Sequence, residues 1–243
     1  MLSARVQTAI RLVYPPHCLA CGEHVSTEFG LCGACFSETH FITGLVCDAC
    51  GTPLPGDGAE DGILCDGCLA ARRPWSQGRA ALLYSGAGRR LVLALKHGDR
   101  HDIARAAAPW LARAAAPILR DDSLIVPVPL HLLRLLKRRY NQSALLAQSL
   151  ARETRCDILC DALVRTRRTP SLDGRTREAR FEVLHGAIAV RRSRAAQIAG
   201  RHVLLVDDVM TSGATFGAAT DALYASGARE VCTLALARVG RDA

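Results

Sequence analysis

Eight of the chain's eleven cysteines stand in four Cys-x-x-Cys pairs, all within the first 68 residues: Cys18/Cys21, Cys32/Cys35, Cys47/Cys50 and Cys65/Cys68. Two such pairs, brought together by a short hairpin, make a tetrahedral four-sulfur zinc site. The ten residues between Cys21 and Cys32, and the fourteen between Cys50 and Cys65, suit that hairpin. The two halves also resemble each other, CLACG with CGAC and then CDACG with CDGC, as a duplicated unit supplying four ligands per half. Crossed pairing has the same ligand count, so which pairs share an ion stays open. Sites with four thiolates have no position left for water, so two structural Zn²⁺ ions are expected. A redox dithiol is the rival reading. Four pairs in series, with none at the start of a convincing helix, argue against it. Cys156, Cys160 and Cys232 read as small buried apolar side chains.

A second chemical signature lies in Val203 to Thr215, VLLVDDVMTSGAT. A short apolar strand leads into adjacent carboxylates, Asp207 and Asp208, and then into Thr211-Ser212-Gly213-Ala214-Thr215 at a helix start. Hydroxyls, a glycine and backbone N–H groups at a helix N-terminus form an anion site that suits phosphate. Paired carboxylates at the end of a strand can accept hydrogen bonds from vicinal hydroxyls, as on a ribose. The alternative is local, with Asp208 capping a turn and Thr211 or Ser212 capping the helix.

The elements that must carry these residues divide into two modules, a cysteine-rich block over 1–75 and an α/β domain over 76–243. Ala70 to Gly78 reads as the connector, and 51–62 as a Gly-, Pro- and acid-rich loop. With little apolar sequence between the cysteine pairs, metal is expected to hold the first module folded. Beyond it, 79–84 suits a strand and Arg89 to Lys96 a helix. Asp102 to Leu119 is a helix that Pro109 kinks or divides. Ser123 to Pro129 is a buried strand and Gln142 to Arg152 a helix. Val203 to Val206 is a continuously apolar strand of the kind found inside parallel sheets. Ala214 to Ala225 is a helix ended by Gly227, and Glu230 to Ala237 a final strand. Strands alternating with helices imply an α/β fold with a parallel sheet.

At 243 residues, 49% hydrophobic and 22% charged, the chain has the composition of a folded globular protein. No apolar run approaches a membrane span. The first sixteen residues lack the apolar core of a secretory signal. A cytoplasmic protein is therefore expected. Its net charge of +8 is uneven: residues 1–75 hold four arginines against eight acids, and the remainder holds 27 basic residues against 15 acidic. Positive charge on the second module suits phosphate-bearing partners.

Taken with the cysteine block and the segment VPVPLHLLRLLKRRYNQSALLAQSLA, the loop is similar to the phosphoribosyl-pyrophosphate (PRPP) loop of type I phosphoribosyltransferases, and the chain resembles the ComF/GntX family from about Tyr14 to Arg238. The resemblance implies a double zinc ribbon followed by a type I phosphoribosyltransferase-like parallel sheet flanked by helices, and an association with DNA uptake in natural transformation. Asp207 and Asp208 would then hold the ribose hydroxyls of PRPP, and Thr211, Ser212, Gly213, Ala214 and Thr215 its 5-phosphate. Mg²⁺ would accompany the pyrophosphate. Pro127 to His131 stands where the family has its pyrophosphate loop, with Pro129 at its centre. Lys96 and Arg138 match family cations able to contact pyrophosphate, each with a solvated surface charge as the alternative. Arg139 departs from the family's usual glycine. Leu172 and Val183 stand where a glutamine and an asparagine are common, which weakens any acceptor contact from that segment.

Two classes of function follow. One is an enzyme that transfers ribose 5-phosphate from PRPP to an acceptor that no base-recognition segment identifies. The other is a non-catalytic protein that handles single-stranded DNA through residues 165–201, where ten arginines face three acids. The alternative is a solvated face whose arginines reflect an arginine- and alanine-rich proteome. The ribbon, acidic before any metal binds, suits a protein partner better than nucleic acid.

Overall fold

The computed structural model describes residues 14–56, 62–131, 135–136, 139–167, 177–184 and 186–240. Arg138 and Leu172 lie outside the described residues.

Within the cysteine block, α1 (Gly33–Ser37) and α2 (Asp66–Ala70) are short helices that start directly after Cys32 and Cys65. The sequence reading expected no helix there. The sheet begins with β1 (Gly78–Leu83), followed by α3 (Gly86–His97), α4 (Asp102–Ala106) and α5 (Ala108–Ala115). Pro109 sits in the first turn of α5, where its missing N–H has no intrahelical partner to lose, so the expected long helix divides at Ala107. Then come β2 (Ser123–Pro127), α6 (Gln142–Thr154) and β3 (Asp157–Ile158). An unexpected antiparallel pair follows, β4 (Leu163–Arg165) with β5 (Ile188–Val190), and α7 (Arg177–Leu184) lies between them in the chain. The short α8 (Ala195–Ile198) leads to β6 (His202–Met210), α9 (Ala214–Ala225) and β7 (Glu230–Arg238).

Five strands form one parallel sheet in the order β1-β7-β6-β2-β3. Alternation along β6 explains its two-sided burial. Leu204 and Val206 join Leu91 and Leu95 of α3, Leu111 of α5 and Leu146 and Leu150 of α6 on one face. Val203 and Leu205 join Phe216 and Leu223 of α9 on the other. Each fully buried leucine or valine contributes roughly 1.5–3 kcal/mol, so the central strand is held from both sides. Among the described residues, no helix is long and apolar enough to cross a membrane.

The two halves of the cysteine block are attached differently. The buried cysteines of the first, Cys18 and Cys35, form a small cluster with Ala87 at the start of α3, and from this half Leu19 reaches the core beside Leu91 and Leu95. The second belongs to the core of the sheet: Cys47, Cys50, Cys65 and Cys68 are buried in the same apolar cluster as Trp75, Ala80, Val126 and Phe216. Metal is therefore not the only thing that can order that half. The connector is also packed, since Trp75 is 3% exposed and donates from Nε1 to the Ala49 carbonyl at 2.6 Å. Between the halves, residues 40–42 lie antiparallel to β1, with Ile42 N–H donating to Ala81 and Leu83 N–H to His40.

Candidate functional site

The cysteines gather as Cys18, Cys21, Cys32 and Cys35 in one group and Cys47, Cys50, Cys65 and Cys68 in the other, with the sulfurs of each group within 4.8 Å of one another. Pairing is thus sequential and not crossed. A Zn–S bond of about 2.3 Å in a tetrahedron sets sulfurs about 3.8 Å apart. Cys21 and Cys32 sulfurs are 3.7 Å apart, and those of Cys50 and Cys65 are 3.8 Å apart. The donor set and its spacing fit two double-knuckle zinc sites. The first has an amide and a cationic neighbour: Cys18 Sγ accepts from the Cys32 N–H at 3.3 Å, and Cys35 Sγ from Arg90 Nη2 at 3.5 Å. Burial pushes the Cys35 thiol up to about 12, the cost that a bound cation would remove by stabilising thiolate.

At the C-terminal end of β6, the two carboxylates have separate partners. Ser143, in the first turn of α6, donates from Oγ to Asp207 Oδ1 at 2.7 Å, and the Asp208 N–H donates to the same oxygen at 2.8 Å. Burial, then the neighbouring charge of Asp208, pushes the Asp207 carboxyl up to about 6. Asp208 is 8% exposed, and its Oδ1 lies 3.2 Å from Lys96 Nζ at the end of α3. The sequence offered Lys96 as either a phosphate contact or a solvated charge. The structure brings it into the group.

A set of hydrogen bonds ties the end of α3 to the start of α6. Tyr140 Oη donates to Leu95, Gln142 Nε2 to Lys96 and Asn141 Nδ2 to Val128, all at backbone carbonyls. Asn141 Oδ1 also caps α6 by accepting from the Ser143 N–H. The Asn-Gln pair therefore connects the end of β2 to the helix that brings Ser143 to Asp207. Pro129 closes this side, its carbonyl accepting from Arg165 Nε at 2.9 Å. Arg139 adopts φ +65°, in the left-handed region that favours glycine.

The loop after β6 turns at Gly213, where φ is +83°. Thr211 is exposed, Ser212 and Thr215 are half-buried, and Gly213 and Ala214 are buried. Ala214 N–H donates to Ser212 Oγ at 3.4 Å, and α9 starts without any other side-chain cap. A Cβ at Gly213 would stand 2.8 Å from the Trp75 ring and 3.1 Å from Arg73 Nη1. Glycine is required twice, by its backbone and by the connector packed behind it. Arg73 Nη1 donates to the Ser212 carbonyl at 2.5 Å, and Arg238 Nη1 to the carbonyls of Met210, at 3.0 Å, and of Thr211.

Sequence reasoning missed Ser143, Arg73 and Arg238. Ser143 had a signal, directly following Asn141 and Gln142 at a helix start. The two arginines had none, since Arg73 lies 139 positions from the residue it holds. Within the arginine-rich span, Arg194 pairs with Asp161 at 2.9 Å and Arg201 with Asp157 at 2.8 Å, both near the surface.

Residues 9–69 match the family model described as a double zinc ribbon domain, and residues 103–243 match that of the phosphoribosyl transferase domain. The chain is 30% identical over 233 residues to DNA utilization protein YhgH of Escherichia coli K12, covering 93% of this chain and 99% of that one. It is 28% identical over 227 residues to Competence protein F of Haemophilus influenzae, covering 91% and 96%. A solved glutamine PRPP amidotransferase from B. subtilis aligns at TM-score 0.40 and 17% identity, over 60% of this chain and 30% of that one.

Proposed function

The chain belongs to the phosphoribosyl transferase family, carried behind a double zinc ribbon, and from that premise we propose that it binds PRPP with Mg²⁺ beyond the end of β6 and transfers the phosphoribosyl group to an acceptor in DNA uptake or utilisation. The observation that carries this reading is the group formed by Asp207, Asp208, Lys96 and Ser143 beside the Thr211–Thr215 loop. Asp207 and Asp208 accept from the ribose hydroxyls. Amides and hydroxyls of Thr211 to Thr215 bind the 5-phosphate. Lys96, beside Asp208, offers a cation to the pyrophosphate, and the family resemblance makes Arg138 a second candidate. Bound Mg²⁺ neutralises pyrophosphate charge and so makes it a better leaving group. The chain's own contribution is orientation of the sugar and fixed donors for the phosphates. Relatives named for DNA utilisation and competence support the DNA setting.

Calorimetric titration with PRPP and Mg²⁺ tests the binding claim, with Asp207→Asn/Asp208→Asn as the control that should abolish it. Pyrophosphate release in the presence of candidate acceptors tests transfer. Saturable binding in the wild type and none in the double variant supports the reading; equal affinity in both overturns the ribose role.

A second reading is single-stranded DNA binding by the arginine-rich span, where ten arginines stand against three acids; a relative named for DNA utilization supports a DNA setting. It would weaken steeply with added salt. Salt-insensitive binding, or none, counts against it. Ion pairs at Arg194 and Arg201 already offset part of that charge.

A further inference from the structure

The phosphate loop is held from behind by two arginines, and both lead to the second cysteine cluster. Arg73 donates from Nε to Cys68 Sγ at 3.3 Å and from Nη1 to the Ser212 carbonyl. Its guanidinium also lies 5.5 Å from the centre of the Trp75 ring, which keeps it in place over Gly213. Arg238 reaches the same cluster through one hydroxyl. Its Nε donates to Thr52 Oγ1 at 3.2 Å, and Thr52 Oγ1 is 3.1 Å from Cys50 Sγ. Since that oxygen already accepts from Arg238, its proton is available to Cys50. At the other end Arg238 holds the carbonyls of Met210 and Thr211.

Two consecutive carbonyls, Thr211 and Ser212, are thus held by arginines that lead to the cysteines, while the Met210 carbonyl also accepts the Val239 N–H. A peptide unit is planar, so holding its carbonyl on one side turns its N–H to the other. Four thiolates around a Zn²⁺ ion carry a net charge of −2, and two guanidinium groups match it. Nothing comparable links the first cluster to the loop among the described residues: its arginine, Arg90, pairs with Glu38.

We propose that the second cysteine cluster is a positioning element for the phosphate loop, acting through Arg73 and Arg238, so that metal in this cluster sets the geometry of Thr211 to Thr215 and their affinity for a phosphate ester. The affinity part rests on the PRPP reading above; the loop-geometry part does not. Metal loss there leaves the protein with a loosened loop and weak phosphate binding. Coupling between two sites is reciprocal, so a phosphate ester at the loop raises the cluster's affinity for metal by the same factor by which metal raises the loop's affinity for the ester.

The test uses the full zinc-loaded chain and an R73Q variant, which keeps all eight cysteines. Zinc content of two ions per chain establishes that the variant is loaded. Amide hydrogen exchange, measured without ligand, compares residues 211–216 with 203–206 of β6. The expected result is exchange about tenfold faster at the loop in R73Q, with the strand unchanged. Zinc transfer to a chromogenic chelator then follows the cluster with and without PRPP. At equilibrium with the chelator, PRPP should raise the affinity for one ion of the two about tenfold in the wild type and leave R73Q unaffected. Loop exchange at the wild-type rate in loaded R73Q, and again in protein stripped of the second ion, overturns the proposal. If the wild type fails to bind PRPP, the reading of the previous subsection falls, while the exchange measurement still decides this one.

Discussion

Lys96 and Asp208 meet at 3.2 Å across the gap between the end of α3 and the end of β6, with both side chains largely shielded from solvent. Helix C-terminal lysines usually point to water. This one is brought to the strand ends, where open parallel sheets bind their ligands. Lys96→Met should weaken PRPP binding about tenfold, the effect of losing one charge-assisted contact of about 1.4 kcal/mol. Calorimetry on the variant checks this, and unaltered affinity would return Lys96 to a structural role.

Asp207 gives the site a pH dependence. Its carboxyl is raised to about 6 by burial and by Asp208, against an ordinary value of 3.8. The folded chain therefore holds this proton more tightly than the unfolded chain does. Its contribution to stability is greatest below about 4 and is lost as pH rises through about 6. Asp207→Asn should remove that fall and leave the protein more stable than wild type at pH 7.5, by roughly 1–2 kcal/mol. Denaturant unfolding of both proteins between pH 5 and 8 is the measurement. A constant difference across the range would refute the assignment.

Arg139 holds φ +65°, a conformation that costs a non-glycine residue roughly 1–2 kcal/mol. Arg139→Gly should relieve it, less the entropy glycine adds to the unfolded chain, for a net gain of about 1 kcal/mol. For a chain of this size that is a rise in Tm of roughly 2–4 °C, readable by calorimetric scanning.

Purified without chelator, the protein should contain two zinc ions per chain. Cys21→Ser acts on the small cluster beside α3 and should loosen that half locally. Cys47→Ser acts within the core of the sheet and should lower Tm for the whole molecule. Equal effects of the two substitutions on global unfolding would contradict the difference in attachment.

Much of the fold was legible because its signals are local. The helix Ala214–Ala225 agrees with the sequence reading at both ends, where a glycine in the left-handed region stands before it and another follows it. The reading of β6 stopped at Val206, where apolar residues end. The strand continues because backbone pairing with β7 ignores side-chain polarity: Asp207 stays opposite Ala235, and Val209 opposite Ala237. The β4–β5 pair, three residues each, is too short for a pattern. At the site, the cysteine groups and the carboxylate-loop string announced themselves by spacing. Lys96, Ser143, Arg73 and Arg238 matter through neighbours distant in sequence, and no periodicity encodes such contacts.

Residues 40–42, between the two cysteine groups, lie along β1 and bond to it at Ala81 and Leu83. A strand at the margin of a sheet is a template on which further chains can add, and margins left bare promote self-association. This short segment occupies the template from within the same molecule. A domain cut free at residue 76 would lose that cover and leave this edge of β1 unpaired at Ala81 and Leu83.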